Sequence, residues 1–148
     1  MNLIIAMTET LVQKLAKRPC ITIHEKSSIY SLVELLNKYK VGCIVVTSNN
    51  INKPVGIISE RDLIRNYDEI MNNNNSIVCE VMTKKVISCN IDTSSKELME
   101  IMSKNKIRHV PIMKDNILLG IVSIGDVVKR VIENYAFETK YLREFINN

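Results

Sequence analysis

The chain has 148 residues, 46% of them apolar, with 20 basic and 16 acidic side chains that leave a formal net charge of +4. A chain this long buries roughly two-thirds of its unfolded surface in one domain-sized body, and it is too short to hold a (β/α)8 barrel of about 250 residues. The charges are spread rather than blocked, which argues against a nucleic-acid arm. The longest apolar stretch near the start, residues 3–7, is far short of a membrane span and lacks the flanks of a signal peptide, so a cytoplasmic protein without a membrane partner is expected.

Leu11, Val12 and Leu15 predict a short amphipathic helix that Pro19 ends. Cys20-Ile21-Thr22-Ile23 follows as a β-rich run, then Ser27-Ser28, then Leu32, Leu35 and Leu36 at helical spacing. Cys43-Ile44-Val45-Val46 reads as a strand, Ser48-Asn49-Asn50 as a hairpin loop, and the run ending in Gly56-Ile57-Ile58-Ser59 as the returning strand. Leu63-Ile64-Arg65 lies in a second helix. Residues 72–76, asparagines and a serine, are the most polar and least periodic stretch and are expected to form a hinge.

Beyond that stretch the same order returns. Val86-Ile87-Ser88-Cys89 is a β-rich run, and Ser94-Ser95-Lys96-Glu97 is a capping box ahead of Leu98, Ile101 and Met102. His109-Val110-Pro111-Ile112 is a strand, Lys114-Asp115-Asn116 a turn, and a strand carrying Gly120-Ile121-Val122-Ser123 leads to a helix with Val127-Val128-Lys129. Tyr135, Tyr141, Leu142 and Phe145 suggest a helical tail with an apolar stripe.

The chain is therefore an internal duplication. Ile21-Thr22 matches Ile87-Ser88, Leu32 matches Leu98, Glu34 matches Glu100, and Lys38 and Lys40 match Lys104 and Lys106, all 66 residues apart. The paired Gly-x-x-Ser-x-x-Asp motifs, ending at Asp62 and Asp126, are 64 apart because the second loop is two residues shorter. Two copies of about 60 residues are too few for a solenoid. They predict an α+β fold of two β-α-β-β-α units: an N-terminal segment over residues 1–18, one unit over 19–75, a second over 76–134, and a tail over 135–148.

The motif admits two readings. A serine at a strand-to-helix junction with an aspartate three residues on can cap its own helix. The same helix end can instead be an anion site, with the carboxylate placed for the two hydroxyls of a ribose. Spacing alone favours the cap. Arg61 inside the first motif and Arg108-His109 ahead of a strand shift the balance, because cation, hydroxyl, helix end and carboxylate make a nucleotide-shaped set.

Cys20, Cys43, Cys79 and Cys89 form no Cys-x-x-Cys pair and have only two histidines for company, so small, buried, reduced residues are expected and no metal site. No nucleophile elbow or Gly-rich phosphate loop is present, so no catalysis is expected.

With Ile-Arg-His-Val-Pro-Ile-Met followed by Gly-Ile-Val-Ser-Ile-Gly-Asp-Val-Val-Lys, the duplicated pattern resembles a tandem pair of cystathionine-β-synthase (CBS) domains, a Bateman module, over residues 19–134. The resemblance implies pseudo-two-fold packing and two clefts for adenosine nucleotides: AMP first, with ADP, ATP, NAD or S-adenosylmethionine as alternatives, acting as regulatory ligands rather than required cofactors. It implies that Asp62 and Asp126 hold ribose hydroxyls, that Ser59 and Ser123 contact ribose or phosphate, and that the backbone of Ile21-Thr22 and Ile87-Ser88 reads the adenine edge. Arg61 would reach phosphate, as would Arg108 and His109, in their own cleft or the neighbouring one, with Pro111 in the adjoining strand. Because each copy supplies cationic charge from one place, unequal clefts are expected, with that of Ser123 and Asp126 dominant. A homodimer acting on an unknown regulated protein is the expected assembly; a constitutive dimeric scaffold, with the motif residues as caps only, is the alternative. Similar modules are inserted in inosine monophosphate dehydrogenase, whose barrel this sequence does not contain.

Overall fold

The computed structural model describes residues 9–147. In chain order the elements are α1 (Leu11–Leu15), β1 (Thr22–His24), α2 (Ile29–Tyr39), β2 (Cys43–Thr47), β3 (Pro54–Ser59), α3 (Glu60–Arg65), α4 (Tyr67–Asn72), α5 (Val78–Val81), β4 (Cys89–Asn90), α6 (Ser95–Asn105), β5 (His109–Lys114), β6 (Ile117–Ser123) and α7 (Ile124–Ile146). They build two three-stranded sheets, β1-β2-β3 and β4-β5-β6. In each sheet the first pair is parallel and the second antiparallel. A parallel pair cannot be joined by a hairpin, so α2 and α6 serve as the crossovers. This is the α+β architecture of two β-α-β-β-α units.

The duplication extends to fine geometry. Ser28 and Ser94 cap α2 and α6 through the amides of Ser31 and Glu97. Both helices end on a lysine in the left-handed conformation, Lys40 at φ 52° and Lys106 at φ 54°. Irregularities in register fall at Val46/Thr47 and at Ile112/Met113, equivalent places in the two hairpins. The shorter second loop is a tight turn with Asp115 and Asn116 at φ 50° and 63°, the backbone that suits the twist of a two-residue hairpin.

Three expectations are corrected. The opening strands begin later than the apolar runs suggest, at Thr22 and Cys89, leaving Ile21, Ile87 and Ser88 outside them. In the first sheet Thr22 pairs with Val45; the equivalents Ser88 and Pro111 do not pair with each other, as suits a proline without an N–H to donate. Residues 72–76 are a tied turn rather than a hinge: Ser76 is buried, its amide donates to the Asn73 carbonyl (3.0 Å) and its carbonyl accepts from Ile29 (3.2 Å). Finally, the second unit's last helix and the tail are one continuous 23-residue helix, α7, whereas the first unit's helix breaks at Asn66.

Packing also cuts across the order of the chain. The first core joins Ile23, Leu32, Leu36, Ile44, Val46 and Ile58 to Val78 and Val81 of α5, which comes after residue 75. The second joins Leu98, Met102, Val110, Ile112, Val122 and Val127 to Leu11, Val12 and Leu15 of α1, which comes before the first unit. The motif glycines admit these crossings. A Cβ on Gly56 would stand 3.1 Å from the Thr83 carbonyl, and one on Gly120 would stand 3.2 Å from that of Leu15.

Candidate functional site

Both motifs form complete capping boxes. Ser59 donates to Asp62 Oδ2 through its amide and its hydroxyl, each at 2.7 Å, and the Asp62 amide donates back to Ser59 Oγ at 3.4 Å. The Ser123–Asp126 box repeats this at 3.0, 2.9 and 3.2 Å. Each box uses only one carboxylate oxygen. The other, Oδ1, accepts from Thr83 Oγ1 at 3.4 Å in the first motif and from Arg18 at 3.2 Å in the second. The cap and the ribose readings are thus compatible, since the oxygen that caps is not the oxygen offered to the cleft.

The helix ends by themselves are not phosphate cradles. The Glu60 amide donates to the Gly42 carbonyl at 3.0 Å and that of Ile124 to the Arg108 carbonyl at 2.8 Å. With the third amide of each helix taken by its capping serine, two of the first three donors are used inside the fold. Negative charge on a ligand has to be met by side chains.

Those side chains are distributed unequally. A cleft of about 240 Å³ is lined by Ser59, Asp62 and Thr83 together with Ile87, Arg108 and His109 from the second copy. Five cations reach it (Arg61, Arg65, Lys85, Lys106 and Arg108) against two carboxylates, Glu60 and Asp62. A second cleft of about 360 Å³ carries Ser123 and Asp126 with Ile21, Gly42, Cys43 and His109, and only Arg18 and Lys40 as cations. Each cleft therefore combines one copy's motif with the other copy's opening segment and helix-ending lysine, which is the signature of pseudo-two-fold packing.

Of the sequence-predicted residues, Ser59, Arg61, Asp62, Ile87, Arg108 and His109 share the first cleft, and Ile21, Ser123, Asp126 and His109 share the second. Thr22, Ser88 and Pro111 line neither: Thr22 is paired within β1, Ser88 is exposed ahead of β4, and Pro111 is buried inside β5. The Ser123–Asp126 cleft was expected to dominate because the two copies supply phosphate-binding charge unequally. Packing across the pseudo-two-fold carries Arg108 to the cleft that already holds Arg61. Sequence reasoning missed Thr83 and Lys85, which have no counterparts in the repeat. It noted that Lys40 matched Lys106 without seeing that each turns toward the other copy's motif.

His109 lies at the centre of the arrangement, on the rim of both clefts. Burial lowers its pKa below the ordinary 6.5, Asp126 and Glu60 pull it back up, and Arg108 lowers it further. Its equivalent, Cys43, is pushed up to about 12 by burial, with Asp62 adding to the effect and the Ile44 hydrogen bond opposing it. Cys20 and Cys89 are raised to about 11 by burial. All four cysteines are free thiols, and among the described residues no cluster of His, Cys, Asp or Glu could hold a metal ion. No described helix is long and apolar enough to cross a membrane.

Comparison with known proteins gives the class. The family model for the CBS domain matches residues 12–69 and 78–133, and the chain belongs to that family as a tandem pair. It is 32% identical over 123 residues to the mitochondrial CBS domain-containing protein CBSX3 of Arabidopsis thaliana, a match covering 80% of this chain and 60% of that one. The chain thus spans about three-fifths of that relative's length. Among solved structures, CBS domain protein PAE2072 from Pyrobaculum aerophilum, complexed with AMP, superposes with a TM-score of 0.71 at 28% identity, covering 78% of this chain and 88% of that one. The CBS domain pair of protein MJ0100, in complex with 5′-methylthioadenosine and S-adenosyl-L-methionine, gives 0.72 at 28% identity, covering 86% and 98%.

Proposed function

We propose that this chain is a non-catalytic regulatory module that binds a phosphorylated adenosine ligand, AMP foremost, in the cleft of Ser59 and Asp62, and passes the bound state to a partner protein. The observation that carries the reading is convergence in one cleft: a carboxylate with one oxygen outside its cap, and five cations drawn from both copies. In this reading Asp62 Oδ1 accepts the ribose hydroxyls, Arg108 and Arg61 meet the phosphate, and backbone near Ile87 faces the adenine. The AMP complex of PAE2072 and the adenosyl ligands of MJ0100 support an adenosine-class ligand. The Ser123–Asp126 cleft, with fewer cations and its carboxylate engaged by Arg18, is the weaker site for phosphate. Family resemblance adds a homodimer through helices of both copies and a cytoplasmic setting.

Ligand acts only if it favours one arrangement of the halves, or of the dimer, over another. The scaffold reading keeps one specific support, since each motif serine and aspartate has a complete structural role as a capping box. Thermal stabilisation against AMP, ADP, ATP, NAD, S-adenosylmethionine and adenosine separates the two. At a ligand concentration of about 100 times the dissociation constant, folded-state stability rises by about 2.7 kcal/mol. A flat response across the panel rejects the nucleotide reading and leaves the scaffold.

A further inference from the structure

The last two-thirds of α7 leaves the body of the protein: every residue from 132 to 147 is exposed. Polar residues are the usual cost-free choice for such a projection, yet Ile132 is 63% exposed, Tyr135 68%, Leu142 59% and Ile146 79%. These side chains are not scattered. Val128, Ile132, Tyr135, Thr139, Leu142 and Ile146 follow one another at steps of 4, 3, 4, 3 and 4 residues, the 3.5-residue period of a coiled-coil seam. Thr139 is the one non-aromatic polar residue in the row, and its hydroxyl is spent within the helix, donating to the Tyr135 carbonyl at 2.9 Å. A shallow depression of about 550 Å³ lies to one side of the row, where Ile132, Tyr135 and Thr139 adjoin Ala136, Lys140 and Arg143.

The seam also says what fits it. With Ile132, Thr139 and Ile146 at the a positions and Leu142 at a d position, β-branched residues stand where two-stranded parallel coils favour them. Glu138 then falls at g and Arg143 at the following e. In a parallel pair those positions face each other across the seam, giving Glu138 to the partner's Arg143 twice over by symmetry. The helix carries four cations (Lys129, Arg130, Lys140, Arg143) and four acids (Asp126, Glu133, Glu138, Glu144), a balance unlike the basic face of a helix that lies on anionic lipid. Phe137 and Tyr141 fall outside the seam and take no part in it.

We infer that the projecting part of α7 pairs with the same helix of a second copy as a parallel two-stranded coil, locked in register by Glu138 and Arg143. Six seam positions make a short coil, so the pairing sets the orientation of two copies that also meet through their folded bodies.

Sedimentation equilibrium of the full chain tests it by charge reversal. Glu138→Arg places like charges opposite each other at two symmetric points and weakens dimerisation about tenfold. The double variant Glu138→Arg with Arg143→Glu restores the original affinity, because the reversed pair is again complementary. A monomeric wild type, a dimer indifferent to Glu138→Arg, or failure of the double variant to recover each overturns the inference. Mild oxidation of Leu142→Cys gives an independent readout: a parallel coil juxtaposes the two introduced thiols and yields a covalent dimer that the wild type does not form. These positions line neither cleft, so the single variants keep every cleft contact to a nucleotide, and nucleotide binding and helix pairing are read by separate measurements.

Discussion

Asp62→Asn isolates what the outer carboxylate oxygen does. In the folded protein Oδ2 takes two short bonds from Ser59, and Oδ1 has only the long contact from Thr83. An asparagine keeps its oxygen toward Ser59 and turns its amide toward the cleft. The cap survives with a weaker, neutral acceptor and without negative charge at the helix start, a loss of about 1 kcal/mol. A ribose meets a donor instead of an ionised acceptor and loses charge-assisted hydrogen bonds of about 2 kcal/mol, roughly a 30-fold rise in the dissociation constant. In a thermal scan with AMP at about 100 times the wild-type constant, the ligand's contribution falls from about 2.7 to about 0.9 kcal/mol. For a domain of this size that is a shift of about 10 °C shrinking to about 3 °C. Unchanged AMP affinity would refute the ribose role of Asp62. A loss of stability above about 3 kcal/mol without ligand would show that the cap matters more than its one-oxygen geometry suggests. Asp126→Asn serves as the internal control, leaving the stronger AMP site intact.

Arg108→Ala raises the AMP dissociation constant about tenfold while adenosine binding stays the same; calorimetry showing equal loss for both ligands removes Arg108 from the phosphate. Lys106→Gly and Lys40→Gly each relieve a left-handed backbone and raise stability by about 1 kcal/mol, seen as a higher Tm, whereas only Lys106→Gly weakens AMP binding. Because burial holds the folded pKa of His109 below the ordinary 6.5, the unfolded chain takes up a proton in that window that the folded chain refuses. This contribution to stability is complete above about pH 6.5, falls as pH drops toward the folded pKa, and is level below it. His109→Gln flattens that part of a Tm-against-pH curve; identical slopes for the two proteins would show that His109 does not titrate as its burial dictates.

The fold was legible because local signals and repeat agree. Ser94 caps where its box predicts, Leu98 and Met102 turn inward, and Asp115-Asn116 makes the tight turn. Boundaries of the opening strands were not legible, since apolar character extends to Cys20 and Val86 while ladder bonds begin later. The hinge at residues 72–76 was misread from polarity alone: asparagine side chains that look like solvated linker instead bond their own backbone, as Asn73 Oδ1 does with the Asn75 amide at 3.1 Å. The motif residues were legible as a set, but their partition between clefts was not. That depends on which copy's strand end lies across from which motif, a long-range property without periodicity. Thr83 escaped for the same reason: it reaches Asp62 only because residue 83 joins the edge of β3 beside Ile57.

The exchanged positions of α1 and α5 bear on ancestry as well as architecture. A gene for one β-α-β-β-α repeat with its preceding helix would encode a chain whose own helix belongs in its neighbour's core, as Leu11, Val12 and Leu15 do here. Such a chain has no complete core alone and becomes whole only by reciprocal exchange with a twin. Duplication and fusion would then have converted an obligate pair into a single polypeptide, after which the twins were free to diverge. One carries an arginine at residue 61 where the other has Gly125, and one carries Arg108 where the other has Gly42. The smallest inheritable unit is the pair, and chemical asymmetry between its clefts is something only a fused pair can evolve.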